Sequence, residues 1–304
     1  MITLANEFLR GSYVPIITPF RDGDVDYAAF AALVANQVDH GSHGIVVAGT
    51  TGEANALTSA ERTRLLETAV KIARRRLAVV ASTGTDSFTE TLALSHAAER
   101  AGADALLIIP PPYMRPPQRG LVEYFTRIGN ATGLPFMINN NPGRTAVSLS
   151  VETIERIAEG AANLVGIDHA VADFGFVAQV LARLGPAFRV FAGFEDMDFP
   201  MLAIGAAGVM NAVGNLAPRR IERLYSLTTG GNLAEARQLY HDLAELNAAI
   251  YFDTNPIPIK YMMHKVGLLT HNEHRLPMLP ATAELGERLD AVLERAGLID
   301  QVYG

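Results

Sequence analysis

The chain has 304 residues, 49% of them apolar and 19% charged, with 25 Lys and Arg against 32 Asp and Glu for a formal net charge of −7. That is apolar material for a large core, which excludes disorder, and an acidic balance without a basic stripe excludes a nucleic-acid binder. The absence of cysteine removes disulfides, thiolate nucleophiles and cysteine metal sites. The N-terminus, MITLANEFLR, has neither the basic nor the apolar segment of a secretory leader. No apolar run approaches the ~20 residues of a membrane span, so a soluble cytoplasmic protein, with no membrane partner, is expected.

In chain order, short apolar runs alternate with amphipathic stretches about eight times. The runs are residues 14–20, 44–49, 77–83, 105–110, 135–140, 164–169, 189–194 and 208–213, each rich in Val, Ile, Leu or Phe. They are too short for helices and have the look of parallel strands buried on both faces. Between them, residues 27–40, 60–75, 89–101 and 151–159 read as helices. Ser87 and Ser150 serve as N-caps, whereas Ser59 with Arg62 makes no capping box. Eight such units predict an α/β fold, a closed (β/α)8 TIM barrel. No GxGxxG turn follows the first strand, which argues against the dinucleotide site of an open doubly wound sheet. After the eighth strand the pattern turns wholly helical, over residues 233–251, 259–268 and 282–296, with a break at Asn255-Pro256-Ile257-Pro258. The expected organisation is a barrel over residues 1–230 and a C-terminal helical subdomain over 231–304.

An active site in such a barrel forms at the carboxyl ends of the strands. The second strand ends in Gly49-Thr50-Thr51-Gly52-Glu53, whose hydroxyls and glycine-freed N–H groups suit a small carboxylate; an ordinary turn is the plainer alternative. The fourth ends in Pro110-Pro111-Pro112-Tyr113, a stiff loop that aims one phenol, either as a proton shuttle or as an interface contact. The fifth delivers Asn139, Asn140, Asn141, Pro142, Gly143, Arg144 and Thr145. Arg144 suits a bidentate carboxylate contact, or more plainly a surface salt bridge. The sixth, LVGIDH, closes on Asp168 and His169, and alternation turns His169 away if Asp168 faces inward. Glu195 and Asp196, after the seventh, read best as acids favoured at a helix N-terminus. Asn211 is a polar group on an apolar strand and a pocket-lining candidate. His271-Asn272-Glu273-His274 reads as a solvated turn rather than a metal site.

Three strings, GTTGE at 49–53, NPGRT at 141–145 and NPIPIK at 255–260, are specific jointly. In that order and spacing they make the chain resemble the dihydrodipicolinate synthase/N-acetylneuraminate lyase family. The likeness runs from Tyr13-Val14-Pro15 to Arg275-Leu276-Pro277. It implies a homo-oligomer, dimer or tetramer. It also implies that Thr50, Thr51 and Arg144 hold the carboxylate of a small substrate, and that Tyr113 matches a tyrosine reaching a neighbouring subunit's site. Two departures stand out against the family pattern. Its Schiff-base lysine at the end of the sixth strand is Asp168 here, and its relay tyrosine on the fifth strand is Asn139; the first of two loop tyrosines is also replaced, by Pro112. A Schiff base needs an amine, and the chain has only Lys71, Lys260 and Lys265. Lys71 falls mid-helix, and Lys260 falls in the C-terminal string, away from the site. The expectation is an aldolase-like lyase acting on a small carboxylate or 2-oxo acid by acid–base chemistry. Asp168, Tyr113 and Asn139 would be catalytic and Thr50, Thr51, Arg144 and Asn211 would bind substrate, with no cofactor and no metal. A metal-assisted version would draw on Asp168 and Glu195. The alternative is a catalytically silent barrel that binds a ligand or a partner.

Overall fold

In the computed structural model, which describes residues 1–299, eight parallel strands close into a barrel in sequence order. They are β1 (Gly11–Pro15), β2 (Gly44–Val47), β3 (Ala78–Ser82) and β4 (Ala105–Ile108). The second half comprises β5 (Phe136–Asn140), β6 (Leu164–His169), β7 (Arg189–Ala192) and β8 (Gly208–Met210). Helices α1 (Tyr27–Asp39), α2 (Ser59–Ala73), α3 (Phe88–Ala101) and α4 (Gln118–Ala131) follow the first four strands. Those after the last four are α5 (Val151–Gly160), α6 (Phe174–Leu184), α7 (Asp198–Ala203) and α8 (Pro218–Thr229). Then come α9 (Leu233–Ala249), α10 (Ile257–Lys265) and α11 (Ala283–Arg295).

One local expectation needs correcting and one gap needs filling. Residues 16–20 are not part of the first strand: the chain leaves the barrel after Pro15, and Phe20–Arg21 pairs antiparallel with Asp24–Val25. Pro15 and Pro19 have no N–H to donate to a ladder, so the apolar run cannot continue as a strand. The cap of α2 is Thr58, whose hydroxyl accepts from Glu61 N at 3.2 Å while Glu61 Oε2 accepts from Thr58 N at 2.8 Å. This is a reciprocal capping box one residue ahead of Ser59. Ser87 and Ser150 cap α3 and α5 as expected.

Packing separates into two cores. Inside the barrel Tyr13, Val46, Val80, Leu107, Met137, Val165, Phe191 and Met210 form one cluster with Leu9. Tyr13 meets Phe191 edge to face at 5.1 Å between centroids, an arrangement that aromatic quadrupoles favour. Outward-facing strand residues such as Ile45, Val79, Ile138, Ile167 and Val190 join the apolar faces of the helices in the other cluster. Leu243, Met262 and Leu289 of α9, α10 and α11 belong to that same outer cluster.

One irregularity decides what β6 presents. Phe136 pairs with Leu164, but Met137 pairs with Gly166, so β6 carries an extra residue there. Leu164 and Ile167 face the helices while Val165 faces the barrel. Plain alternation from Val165 would have sent residue 168 outward; the bulge resets the parity. Gly166 is what permits it, since a Cβ there would stand 2.3 Å from Arg189 O. Asp168 consequently falls in register with Asn139 on β5 and Phe191 on β7, pointing inward.

Candidate active site

At the carboxyl ends of the strands opens a cavity of about 640 Å³ whose wall includes Thr50, Glu53, Arg62, Tyr113, Asn139, Arg144, Asn255 and Pro256. Of the residues singled out from sequence, Thr50, Tyr113, Asn139 and Arg144 stand in that wall. Arg144 is exposed and makes only a long 3.4 Å contact from Nη2 to Asn255 O, which leaves its guanidinium fork available to a ligand carboxylate. Tyr113, with φ +71, is 95% exposed, which leaves its ring open to cover by a second copy of the chain.

Thr51 and Asn211 are corrections. Thr51 is buried and its hydroxyl accepts from Asn255 Nδ2 at 2.9 Å, so it braces the wall instead of lining it. Asn211 is fully buried. Its Nδ2 donates to Asp198 Oδ2 at 2.6 Å and its Oδ1 accepts from Val213 N at 2.7 Å. Each end of the amide is engaged with the protein, and the residue does not stand in the cavity wall.

Asp168 sits beside the wall, next to Asn139, at 5% exposure. A Cβ at residue 193 would lie 2.5 Å from its Oδ1, so only a glycine leaves room for this carboxyl. No donor reaches Oδ1. Burial, with the nearby Glu195 charge adding to it, pushes the carboxyl up to about 8, as expected when the charged form is stripped of water. His169, the next residue, faces outward. It stacks on Phe176 at 4.3 Å and its Nδ1 lies 3.1 Å from Asn140 Nδ2. Burial pulls it down to about 4, so the ring is neutral, accepts from Asn140 and holds the strand to α6.

Glu195 is not the solvated helix-end acid expected of it. It is 3% exposed; Oε1 accepts from Ala212 N at 2.8 Å and Oε2 accepts from the Tyr251 hydroxyl. Burial raises it, against the pull of those hydrogen bonds. Asp198, also fully buried, is raised well above the ordinary carboxylate range, chiefly by burial, against its bond from Asn211. Asp168, Glu195 and Asp198 thus form a buried acidic group in which Glu195 raises both of the others and Asp168 adds to the rise of Asp198. Among the described residues no Lys, Arg or His pairs with any of the three. Nor, among the described residues, do three His, Cys, Asp or Glu come together as a metal-holding set.

Sequence reasoning missed a second buried charge. Lys260, expected away from the site, is completely buried with Nζ 2.8 Å from Glu53 Oε1, and Glu53 is in the cavity wall. Its other donors go to Thr18 O at 3.1 Å and Glu273 O at 2.5 Å, with the Phe20 ring 4.5 Å away. His274 corrects the solvated-turn reading: its side chain is wholly enclosed, Nδ1 standing 3.5 Å from Glu53 Oε1, too long for a full hydrogen bond, so Lys260 is the firmer partner. Burial would raise Glu53, but His274 and Lys260 outweigh it and hold the carboxyl below its ordinary value. The signal was present in the sequence: a lysine inside the apolar string Ile257-Pro258-Ile259-Lys260 requires a buried partner.

The three lysines can now be placed. Lys71 is exposed on α2, Lys265 pairs with Asp290 at 2.6 Å, and Lys260 spends its three donors as described. None is in the cavity wall. Among the described residues no helix is long and apolar enough to cross a membrane.

Comparison with known proteins gives a consistent picture. The model of the dihydrodipicolinate synthetase family matches residues 8–296. A 4-hydroxy-tetrahydrodipicolinate synthase of Thermus thermophilus is 38% identical over 291 residues, 95% of this chain and 97% of that protein. The crystal structure of dihydrodipicolinate synthase from Aquifex aeolicus superposes with a TM-score of 0.93 at 36% identity, covering 95% of this chain and 98% of that one. A dihydrodipicolinate synthase from Acinetobacter baumannii, described as chloride inhibited and complexed with pyruvate, gives 0.93 at 34% identity, with 96% and 100% covered.

Proposed function

The chain belongs to the dihydrodipicolinate synthetase family, and we propose that it is a lyase of that family that handles a small carboxylate by proton transfer at Asp168, without an imine to the protein. The observation that carries this reading is the side chain at residue 168. The relatives' family resemblance calls for an amine at the end of β6, where this chain has a carboxyl raised to about 8. A carboxyl so placed exchanges a proton near neutrality, which is what general acid–base catalysis needs. An imine needs a nucleophilic amine, and none of the three lysines opens into the cavity.

In this reading Thr50 and Arg144 take the carboxylate at one side of the cavity. Asn139 orients the substrate's polar group through its amide, and Asp168 gives or takes the proton. The pyruvate complex of the Acinetobacter baumannii relative supports a small 2-oxo acid as one ligand for the comparable cavity.

The test is proton–deuterium exchange in a panel of small carboxylates bearing 2-oxo, 2-hydroxy or amino groups, with borohydride trapping alongside pyruvate. Wild type should catalyse exchange into at least one compound, and Asp168→Asn should cut that rate by ~10²–10⁴ while keeping the fold. The protein mass should stay unchanged after borohydride. A borohydride adduct on any lysine, or exchange indifferent to Asp168→Asn, overturns the reading.

A further inference from the structure

Arg144 is placed in the cavity wall by its loop and not by its own contacts. Its guanidinium makes one long contact, 3.4 Å to Asn255 O, so where the fork points depends on the backbone of residues 141–150. That loop leaves β5 at Asn140, makes a single helical turn over Pro142–Thr145 and reverses at Ala146, φ +56. Its start and its return meet on one side chain. Asn140, completely buried, accepts from Leu149 N through Oδ1 at 3.1 Å and donates from Nδ2 to Ser148 Oγ at 3.3 Å. Gln118 of α4 holds the return from the other side, donating to Ser148 O at 2.8 Å and accepting from Ser150 N at 3.0 Å.

The Asn140 amide can do this in one orientation only. Leu149 N is buried and needs an oxygen, so Oδ1 must face it and Nδ2 must face β6. There Nδ2 meets Nδ1 of its register partner, His169, at 3.1 Å. Phe176, stacked on the ring with 8° between planes, fixes how that nitrogen is presented, and a neutral imidazole offers it as an acceptor. A ring that only packed on Phe176 would need no nitrogen toward β5. Without the acceptor a buried N–H is left unmade, and turning the amide to relieve it takes Oδ1 away from Leu149.

We infer that His169 is a positioning residue: by accepting from Asn140 it locks the amide that closes the 141–150 loop, and so sets where Arg144 stands in the cavity. The inference rests on the reading of Arg144 as a carboxylate contact and adds to it a residue that touches no ligand. It does not draw on Asp168, which lies on the opposite face of β6. The outward face of that strand thereby serves the site from behind, through one amide and one loop.

The experiment compares two variants. His169→Phe keeps an aromatic ring on Phe176 but removes the acceptor; His169→Asn gives up the ring but sets an amide oxygen near the place of Nδ1. Hydrogen exchange of the peptide covering residues 141–150, read by mass spectrometry, reports on the loop. Isothermal titration with pyruvate reports on Arg144, and thermal unfolding confirms that each variant is folded. His169→Phe should exchange about ten-fold faster in this segment and bind pyruvate about ten-fold more weakly, the scale of one lost buried hydrogen bond. His169→Asn should stay within about three-fold of wild type in both, because the acceptor is restored. Asn140→Ala should reproduce the His169→Phe result, and the double variant should add nothing, since both cuts fall in one chain of contacts. If His169→Phe does not fold, His169→Leu takes its place in the comparison. A His169→Phe protein that exchanges and binds like wild type, or a His169→Asn protein as disturbed as His169→Phe, overturns the positioning role and leaves the ring as packing alone. If wild type does not bind pyruvate, the carboxylate contact is overturned, and the exchange comparison decides the positioning role by itself.

Discussion

Glu53 and Asp168 are both carboxyl groups buried near the cavity, and burial pushes both up, yet they come to rest on opposite sides of their ordinary values. At Glu53 the cost of desolvation is met by an ammonium 2.8 Å away whose remaining donors are all taken, and the carboxyl stays ionised, held below its ordinary value. At Asp168 nothing of opposite charge is provided, and the carboxyl is pushed up to about 8. What differs is the company the side chain keeps, not how deep it lies. The compensated pair behaves as structure, tying the barrel loop at Glu53 to α10 and, through Glu273 O, to the segment that follows it. The uncompensated one behaves as a site.

The comparison is broken most forcefully from the Glu53 side. Lys260→Met leaves Glu53 charged and unpaired in a dry setting and strands two backbone acceptors, so unfolding by denaturant should show a loss of ~3–5 kcal/mol. Adding Glu53→Leu to that variant should recover much of the loss, because two apolar groups replace the pair; a single variant within 1 kcal/mol of wild type would show that the pair is not holding the loop.

From the Asp168 side the effect is smaller and has a pH signature. Its folded value, about 8, lies above the ordinary 3.8, so between these two the folded state keeps a proton that the unfolded chain has released. Stability therefore falls as pH rises from about 4 to about 8, and the cost is complete above that. Asp168→Asn does not titrate. Unfolding curves of the two proteins should be most alike near pH 4 and diverge in the variant's favour by ~1–3 kcal/mol at pH 9. Glu53 has the opposite sign, its contribution being present at neutral pH and lost as acid reaches its lowered value. A constant difference between wild type and variant across the range would place Asp168 in water.

The smallest effect sharpens the contrast. Lys265 and Asp290 are as close, 2.6 Å, but their side chains are 42% and 26% exposed. Lys265→Ala should cost under ~1 kcal/mol, and a cost equal to that of Lys260→Met would mean that burial is not what separates the two pairs.

The barrel was legible because strand runs buried on both faces leave an unmistakable apolar rhythm, and eight of them admit few closed arrangements. The cavity wall was legible where a residue's role follows from its position at a strand end, as for Thr50, Asn139 and Arg144. Thr51 and Asn211 were not, because a polar side chain at a strand end is as well satisfied by the protein, here by Asn255 and Asp198, as by a ligand, and the partner comes from far along the chain. Lys260 and Glu53 are separated by more than two hundred residues in sequence, so their contact is invisible until the barrel closes. The Thr58–Glu61 box, by contrast, was readable, one residue ahead of the Ser59–Arg62 pair that makes none.

The bulge at Val165 and Gly166 has a consequence for how this strand end can change its chemistry. Asp168 and His169 are adjacent, one turned to the barrel and the other to α6, so β6 carries an acid on one face and an imidazole on the other. Which of them reaches the interior is fixed by the count of residues between the bulge and the strand end, not by the identity of either. Loss of Ile167 would set Asp168 opposite Ile138 and His169 opposite Asn139, exchanging carboxyl for imidazole without a substitution at either position, whereas loss of Val165 would only remove the bulge and leave Asp168 opposite Asn139. The reactive group of this barrel is thus under positional control: a single-codon deletion beside the site is as consequential as a mutation within it.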